Sequence, residues 1–265
     1  MTVGAEGQRG PSDPPDGRGR RAIVTGAGSG IGLSIVDALV RRGDTVWACD
    51  LAEHPADARP GVTMRTCDIS DRTGARAFVA EAVAHMGGLD ILVDNVGIVG
   101  PTAPMQDISE ADWRRVMEVN LDGTFWITQA AVPALIRSGR GAIVVMSSLA
   151  GRVGYPQRLA YATSKWGLIG FAKTLALELG EFDVTVNAVL PGAVAGGRME
   201  QVLAGRASTS GRSIEQERLA ALQNQSLKRF VTADEIAGLV AFLTSNTARA
   251  ISGQTFPIDG DSKGA

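Results

Sequence analysis

A glycine-rich segment between the first strand and the first helix places the strongest constraint on the fold. A short apolar run at 22–25 stops at this segment, and apolar residues at helical spacing follow it. Gly26 would make a tight turn, Gly30 would let backbone N–H groups approach a pyrophosphate, and Gly32 would let the helix pack closely on the strand. The alternative is a plain strand-to-helix turn. The predicted phosphate-binding residues are Gly26, Gly28, Ser29, Gly30, Ile31 and Gly32.

Strand and helix signals go on alternating along the chain. Apolar runs predict further strands near 45–49, 62–67, 90–93, 142–146, 184–189 and 254–258. Helical spacing predicts helices near 31–42, 73–86, 112–136, 160–179, 200–226 and 233–243. We expect helix 112–136 to break near Pro133, because proline lacks a backbone donor. Strands that alternate with helices predict an α/β protein with a parallel sheet.

The sequence is typical of one domain preceded by a short tail. It has 265 residues, and no Gly/Ser linker divides it, so we expect one domain over 21–265. Residues 1–20 are rich in Gly, Pro, Asp and Arg and are expected to form a disordered tail. Residues 193–230 are polar and interrupted by glycine, and we interpret them as a lid over a site. Their excess of basic side chains favours an anionic or very polar substrate.

Charge and cysteine content exclude several classes of protein. The chain carries 26 Lys and Arg against 28 Asp and Glu, without the basic patch that nucleic acid or an anionic membrane would need. Two Cys and two His are too few for a disulfide framework or a metal cluster. The sequence has no apolar stretch of about 18 residues and no signal-peptide core. We therefore expect a cytoplasmic protein that binds no metal.

An acidic residue ends the second predicted strand. Asp50 follows Gly32 by 18 residues, where a carboxylate can accept hydrogen bonds from the ribose hydroxyls of an adenosine. The same charge would repel a 2′-phosphate, and the glycine segment holds no Lys or Arg that could bind one. This favours NAD over NADP. The alternative is that Asp50 only caps the strand end.

A tyrosine and a lysine share one face of the longest predicted helix. Tyr161 and Lys165 are four residues apart, hence one turn apart. A tyrosine is a poor base, with a pKa of about 10, but a nearby ammonium stabilises the phenolate and makes it a usable acid or base. Most such pairs are plain surface pairs. Ser148, however, lies 13 residues before Tyr161, after a predicted strand, and ligands bind at the carboxyl ends of open parallel sheets.

This combination resembles the classical short-chain dehydrogenase/reductase family over about residues 20–260. The resemblance implies a single-domain Rossmann fold, a doubly wound parallel sheet of about seven strands with helices on both faces. The motifs that carry it are the glycine turn, Asp68, Asn95, Gly97, Asn120, Ser148, Tyr161, Lys165, Pro191 and Gly192.

The resemblance implies a catalytic role for four residues. Tyr161 would exchange a proton with the substrate hydroxyl or carbonyl, and Ser148 would hydrogen-bond the same oxygen. Lys165 would hold the nicotinamide ribose and tune Tyr161. Asn120 would hold a water that continues the proton relay, unless it only bends its helix. The family transfers the pro-S hydride, and we expect the same here.

The resemblance also implies a cofactor-binding set. Asp68 would contact the adenine amino group, and Ile69 would pack on the adenine ring. Pro191 and Gly192 would place backbone beside the nicotinamide. The full expected set beyond the glycine turn is Asp50, Leu51, Cys67, Asp68, Ile69, Asn95, Val96, Gly97, Tyr161, Lys165, Pro191, Gly192 and Val194.

Three residues depart from the family pattern. Asp94 and Val96 stand where the family's Asn-Asn-Ala-Gly has its first Asn and its Ala, and we expect them to tune the site without destroying it. Ala195 stands where the family often has a Thr that binds the carboxamide, so that contact must come from backbone such as Val194. The expected substrate contacts are Ser148, Tyr155, Arg158 and Tyr161.

The expected function is hydride transfer between NAD(H) and a secondary alcohol or its ketone. One alternative is a 3-oxoacyl-type reductase, and another is a non-catalytic NAD-binding sensor. The resemblance further implies a homotetramer or homodimer that forms through helices near 105–136 and 160–180. Its apolar stripe would be Leu168, Phe171, Leu175 and Leu179, unless these residues only pack in the core.

Overall fold

A seven-stranded parallel sheet lies at the centre of the computed structural model, which describes residues 19–52 and 60–262. The strands are β1 (Arg21–Thr25), β2 (Thr45–Asp50), β3 (Val62–Thr66), β4 (Ile91–Asp94), β5 (Ala142–Met146), β6 (Thr185–Pro191) and β7 (Thr255–Ile258). Their order across the sheet is β3-β2-β1-β4-β5-β6-β7, and every pair is parallel. The strand order reverses between β1 and β4, which is where doubly wound sheets bind ligands.

Helices cover both faces of this sheet. They are α1 (Gly30–Arg41), α2 (Arg72–Met86), α3 (Glu110–Met117), α4 (Gly123–Ser138), α5 (Leu159–Leu179), α6 (Gly197–Ser210), α7 (Ile214–Gln223) and α8 (Ala233–Leu243). On β1, Val24 packs with α1 and α8, whereas Ile23 packs with α2, α4 and α5. Strands buried on both faces must be apolar throughout, which is why β5 was detectable as a continuous apolar run. The predicted doubly wound fold is confirmed.

The predicted helix 112–136 differs from the structure in where it is interrupted. The expected break at Pro133 is wrong, since α4 continues through it. Both Pro133 and Gln129, whose carbonyl loses its donor, lie on the exposed side, where water can satisfy that carbonyl. The irregularity lies earlier, in a π-helical turn over Glu118–Asp122 that separates α3 from α4.

The predicted helical region 200–226 forms two helices instead of one. Gly211, with a φ of +72°, ends α6 in the left-handed conformation that favours glycine. Ser213 then starts α7 with a capping box, in which its side chain and that of Gln216 each bind the other's backbone N–H. The stretch is polar on both sides of Gly211, so the hydrophobic pattern does not indicate where one helix ends and the next begins.

The folded part of the chain begins before residue 21. Arg20 is only 4% exposed, and its guanidinium donates to the carbonyls of Thr244, Asp90 and Arg140. Arg20 therefore belongs to the domain, because buried hydrogen bonds fix it, and the exposed Gly19 lies against the backbone of Gly43. The rest of the predicted tail, 1–18, lies outside the described residues. None of the helices in the described ranges has both the length and the apolar character that a membrane crossing requires.

Candidate active site

The glycine turn joins β1 to α1 and leaves an open cradle at the start of the helix. Gly26 and Gly30 have φ values of +64° and +53°, in the left-handed region that favours glycine. A Cβ on Gly32 would lie 2.0 Å from the Gly26 carbonyl oxygen, whereas a Cβ on Gly30 would meet open space. Among the described residues, the Ser29 side chain makes no capping bond to the first N–H groups of α1. These features fit a pyrophosphate on the turn.

Asp50 is held beside this turn at the end of β2. Its Oδ2 accepts the N–H of Gly28 at 2.9 Å, and its Oδ1 accepts the N–H of Leu51 at 2.7 Å. The carboxylate is thus fixed where the sequence predicts a ribose contact. The end of β3 lies beside Asp50, since the Cys67 N–H donates to the Asp50 carbonyl at 2.9 Å.

The residues after β3 match the sequence expectation only in part. Burial raises the pKa of Asp68, but hydrogen bonds from Ser70 and the nearby Arg115 outweigh it and lower the pKa below its ordinary value. Ile69 is 3% exposed, and its Cγ1 lies 2.8 Å from where a Cβ on Gly123 would be. Its side chain therefore packs in the core against α4. The predicted packing of that side chain on an adenine ring stays a prediction, with little of the side chain exposed to meet such a ring.

Asn95 connects the end of β4 to the glycine turn. Its Nδ2 donates to the carbonyls of Thr25 and Gly26 at 3.0 and 2.9 Å, and its N–H donates to the Thr25 hydroxyl at 3.0 Å. The Val96 side chain lies 3.1 Å from where a Cβ on Gly26 would be. The bulkier Val96 therefore fits because residue 26 is glycine.

Tyr161 and Lys165 lie on the first turns of α5, next to the end of β5. The Lys165 Nζ lies 5.7 Å from the centroid of the Tyr161 ring and donates to the Met146 carbonyl at 2.8 Å. Lys165 is 4% exposed, and its own carbonyl accepts the Ser147 hydroxyl at 2.7 Å. The ammonium is therefore fixed between the phenol and the strand end.

Ser148 follows β5 and reaches the same end of the sheet. Its Oγ accepts the N–H of Ala150 at 3.2 Å, so the hydroxyl keeps its own proton for donation to a substrate oxygen. A Cβ on Gly151 would lie 2.5 Å from the Ser147 Oγ and 2.6 Å from the Lys165 carbonyl oxygen. Only glycine lets this loop approach α5 so closely.

Asn120 lies in the π-helical turn and is fully buried. Its Oδ1 accepts the Ile98 N–H at 2.8 Å, and its Nδ2 donates to the Ile98 carbonyl at 3.0 Å and to the Ser164 Oγ at 2.9 Å. Ser164 in turn donates to the Tyr161 carbonyl at 2.8 Å. Asn120 therefore positions the start of α5, and its water-holding role stays a prediction. Sequence reasoning missed Ser164, although it lies three residues after Tyr161 on the same helix.

Gly97 and Gly192 keep backbone close to these side chains. A Cβ on Gly97 would lie 3.1 Å from the Lys165 Nζ, and one on Gly192 would lie 2.6 Å from the Asp259 Cβ. After Pro191 and Gly192, the Ala195 N–H donates to the Val231 carbonyl, and the Val231 N–H donates to the Ala193 carbonyl. Neither bond uses the backbone of Val194, whose contact to a carboxamide stays a prediction.

Of the three residues that depart from the family pattern, Asp94 has the largest electrostatic effect. It is buried, and its Oδ2 accepts the Thr128 hydroxyl at 2.7 Å, whereas its Oδ1 has no partner among the described residues. Burial raises the pKa of Asp94 to about 7, against the opposing effect of the Thr128 hydrogen bond. The ordinary pKa of an aspartate is 3.8. The Asp94 carboxyl of the folded protein therefore stays protonated to a much higher pH than the same carboxyl in the unfolded chain.

We expect Asp94→Asn to stabilise the protein at pH 8. The folded pKa exceeds the unfolded one, so wild-type stability falls as pH rises from about 4 to about 7 and changes little beyond. Asn carries no charge, so we expect a gain of up to about 4 kcal/mol at pH 8 and little difference at pH 4. Urea unfolding at both pH values measures this. Equal stability of the two proteins at pH 8 would contradict the expectation.

The predicted lid lies against the mouth of this site. The Tyr155 hydroxyl accepts a hydrogen bond from Arg206 of α6, and Gly205 of α6 lies next to Thr102. Three of the six basic residues of the lid form ion pairs with glutamates, however. Ion pairs join Arg218 to Glu200 at 2.7 Å, Arg212 to Glu217 at 3.6 Å and Arg229 to Glu235 at 2.6 Å. These three arginines therefore give no support for an anionic substrate, whereas Arg206 contacts Tyr155.

Comparisons with known proteins agree with this arrangement. The family model described as short chain dehydrogenase matches residues 20–206. A probable galactose dehydrogenase of Rhizobium meliloti is 35% identical over 256 residues, covering 93% of this chain and 96% of that protein. A 3-oxoacyl-(acyl-carrier-protein) reductase of Thermotoga maritima is 35% identical over 250 residues, covering 91% and 97%.

The solved structure of an NAD⁺-bound xylitol dehydrogenase superimposes with a TM-score of 0.88 at 28% identity, covering 92% of this chain and 98% of that chain. Fold, motifs and comparisons therefore lead to one conclusion. The chain belongs to the short-chain dehydrogenase/reductase family and is an oxidoreductase that acts on a CH–OH group or the corresponding carbonyl.

Proposed function

We propose that this enzyme oxidises a secondary alcohol with NAD, or reduces the corresponding ketone with NADH, through Tyr161, Lys165, Ser148 and Asn120. The single observation that carries this is the pair on α5, where the Lys165 ammonium is buried 5.7 Å from the Tyr161 ring beside the end of β5. A buried ammonium at this distance stabilises the phenolate that proton transfer requires.

The side chains divide the work of the reaction. In oxidation, Tyr161 accepts the proton of the substrate hydroxyl while Ser148 donates a hydrogen bond to the same oxygen. In reduction, Tyr161 returns that proton and Ser148 stabilises the charge on the oxygen. The nicotinamide supplies the acceptor or donor of the hydride when it is bound, with its pro-S hydrogen expected to move. Asn120 and Ser164 hold the start of α5 in position.

The cofactor is proposed to be NAD. Support comes from Asp50, which is hydrogen-bonded to the glycine turn and would both bind a ribose and repel a 2′-phosphate. The residues proposed to hold the rest of the cofactor are the glycine turn, Leu51, Cys67, Asp68, Ile69, Asn95, Val96, Gly97, Lys165, Pro191, Gly192 and Val194.

Two other functions stay in view. The 3-oxoacyl-type reductase is favoured by the relative from Thermotoga maritima, which is as similar as the galactose dehydrogenase. A non-catalytic sensor would not need Tyr161 and Lys165 arranged beside Ser148, so the site counts against it. The proposal also includes a single domain with α6 and α7 as a lid, a small-molecule substrate and a cytoplasmic location.

A screen of reduced-nicotinamide absorbance tests the proposed function. NAD and NADP are tried separately against sugars, polyols, hydroxy acids, hydroxyacyl thioesters and steroid alcohols, and NADH and NADPH against the ketones. We expect turnover of one group of compounds with NAD. Tight binding of NADH without turnover of any compound would favour the sensor instead.

An apolar groove between α4 and α5 supports self-association. Phe125, Val132, Phe171 and Leu175 line it, whereas Leu168 and Leu179 of the predicted stripe are buried in the core. We propose that copies of this chain pair through this groove as a homodimer or homotetramer.

We expect Phe171→Glu to convert the assembly to smaller species, because a carboxylate would be buried at the contact. Light scattering after size-exclusion chromatography measures the mass. Leu219→Glu is the control, since Leu219 is an exposed apolar residue of α7. A Phe171→Glu protein with the wild-type mass would contradict the proposed contact.

A further inference from the structure

Arg158 is a buried cation beside the proposed acid–base residue. It directly precedes α5, lies three residues before Tyr161 and is only 6% exposed. Its guanidinium donates to the Gly100 carbonyl at 3.4 Å, which is a long hydrogen bond. Among the described residues, no carboxylate forms an ion pair with it.

The groups that face Arg158 come from every element around the substrate side of the site. They are the Gly100 carbonyl after β4, Tyr155 from the loop before α5, Tyr161 on α5 and Arg206 on α6. Burial lowers the pKa of the Arg158 guanidinium and Arg206 adds to this, while Tyr155 and Tyr161 oppose it. Arg206 itself lies 5.6 Å over the Tyr155 ring. Two cations therefore lie near each other on the substrate side of the site, and the groups found against Arg158 in the described part of the chain are phenols and a carbonyl.

A buried guanidinium without a counter-ion is costly, and proteins normally pair it. Three arginines of the lid follow that rule, since Arg212, Arg218 and Arg229 each pair with a glutamate. Arg158 differs from them in burial and in partners. An anionic group on the substrate would supply the counter-ion that Arg158 lacks among the described residues.

We propose that Arg158 binds a carboxylate carried by the substrate, so that the enzyme acts on a short hydroxy acid or oxo acid. A guanidinium presents two parallel donors that match the two oxygens of a carboxylate. Arg206 is the second cation near that group. The inference rests on the proposed function in one respect, because Tyr161 defines where the reacting oxygen lies. The carboxylate and that oxygen must be a few bonds apart, since Arg158 and Tyr161 are three residues apart at the start of α5.

A binding experiment tests this without requiring turnover. The enzyme saturated with NADH is titrated with butanoate and, separately, with butanamide, which has the same shape and no charge. Nicotinamide fluorescence reports binding. We expect butanoate to bind at least about 10-fold more tightly, as a charge-assisted hydrogen bond predicts. Arg158→Gln should remove this preference, and Arg158→Lys should keep part of it.

Arg152→Gln is the matched control, because Arg152 is an exposed arginine of the same loop and should leave the preference unchanged. NADH titration of each variant shows that it is folded. Equal affinities of the wild type for the two compounds, no measurable binding of either, or a preference that survives Arg158→Gln would overturn the inference.

Turnover separates this inference from the proposed function. Oxidation of neutral alcohols in preference to hydroxy acids would overturn the role of Arg158 and leave the dehydrogenase chemistry in place. Selective binding of butanoate without turnover of any alcohol or ketone would support Arg158 and count against the proposed reaction.

Discussion

Tyr161→Phe is expected to lower kcat/KM by about 1000-fold, because a positioned general acid or base contributes roughly 100- to 10,000-fold. The substitution removes only the hydroxyl, so the ring that faces the Lys165 Nζ at 5.7 Å stays in place. Binding of NADH should change little. Steady-state kinetics with the substrate identified in the screen, together with NADH titration, measure both effects.

Tyr155→Phe is the matched control, since the chain has only two tyrosines. Its hydroxyl accepts a hydrogen bond from Arg206, so a small loss in substrate affinity is expected there. We expect less than about 10-fold, because this bond joins two protein side chains and neither of them is proposed to transfer the proton. A Tyr161→Phe enzyme within 10-fold of wild type would show that another group transfers the proton.

Asp50→Ala is expected to reduce the preference for NAD over NADP by roughly 100-fold, through lost ribose hydrogen bonds and lost repulsion of a 2′-phosphate. The quantity to measure is the ratio of kcat/KM with NAD to kcat/KM with NADP. Because Asp50 also accepts the Gly28 N–H, Asp50→Asn serves as a second variant that keeps an acceptor and removes only the charge.

Asp68→Asn provides the comparison for Asp50. Asp68 is expected to contact the adenine, which NAD and NADP share, so its loss should weaken both cofactors alike. If Asp50→Ala leaves the ratio of kcat/KM with NAD to kcat/KM with NADP unchanged, the proposed ribose contact is wrong. A ratio altered by Asp68→Asn instead would place the discrimination at Asp68.

The fold could be predicted because its elements are buried in a regular way. Strands such as β5 are covered on both faces and therefore appear as continuous apolar runs. The features of the fold that the sequence does not predict depend on tertiary contacts and on exposure. The folding of Arg20 into the domain depends on carbonyls from three distant segments, and α4 continues through Pro133 because that side of the helix is exposed.

The candidate site likewise contains features that a local sequence pattern predicts and features that only tertiary contacts reveal. The spacing of Tyr161 and Lys165 is local to one helix, so the sequence contains it. The bond from Asn120 to Ser164 joins residues 44 positions apart, and no local pattern reports such a contact. The same holds for Ile69, whose apolar side chain fits either a cofactor ring or the core until α4 is placed against it.

The most direct test of the proposed mechanism follows the hydride itself. The substrate is labelled with deuterium on the carbon that bears its hydroxyl and is oxidised with NAD, and the NADH formed is examined by NMR. The proposed mechanism predicts one deuterium at the pro-S position of the nicotinamide C4. Deuterium at the pro-R position, or deuterium lost to the solvent with unlabelled NADH, would contradict it.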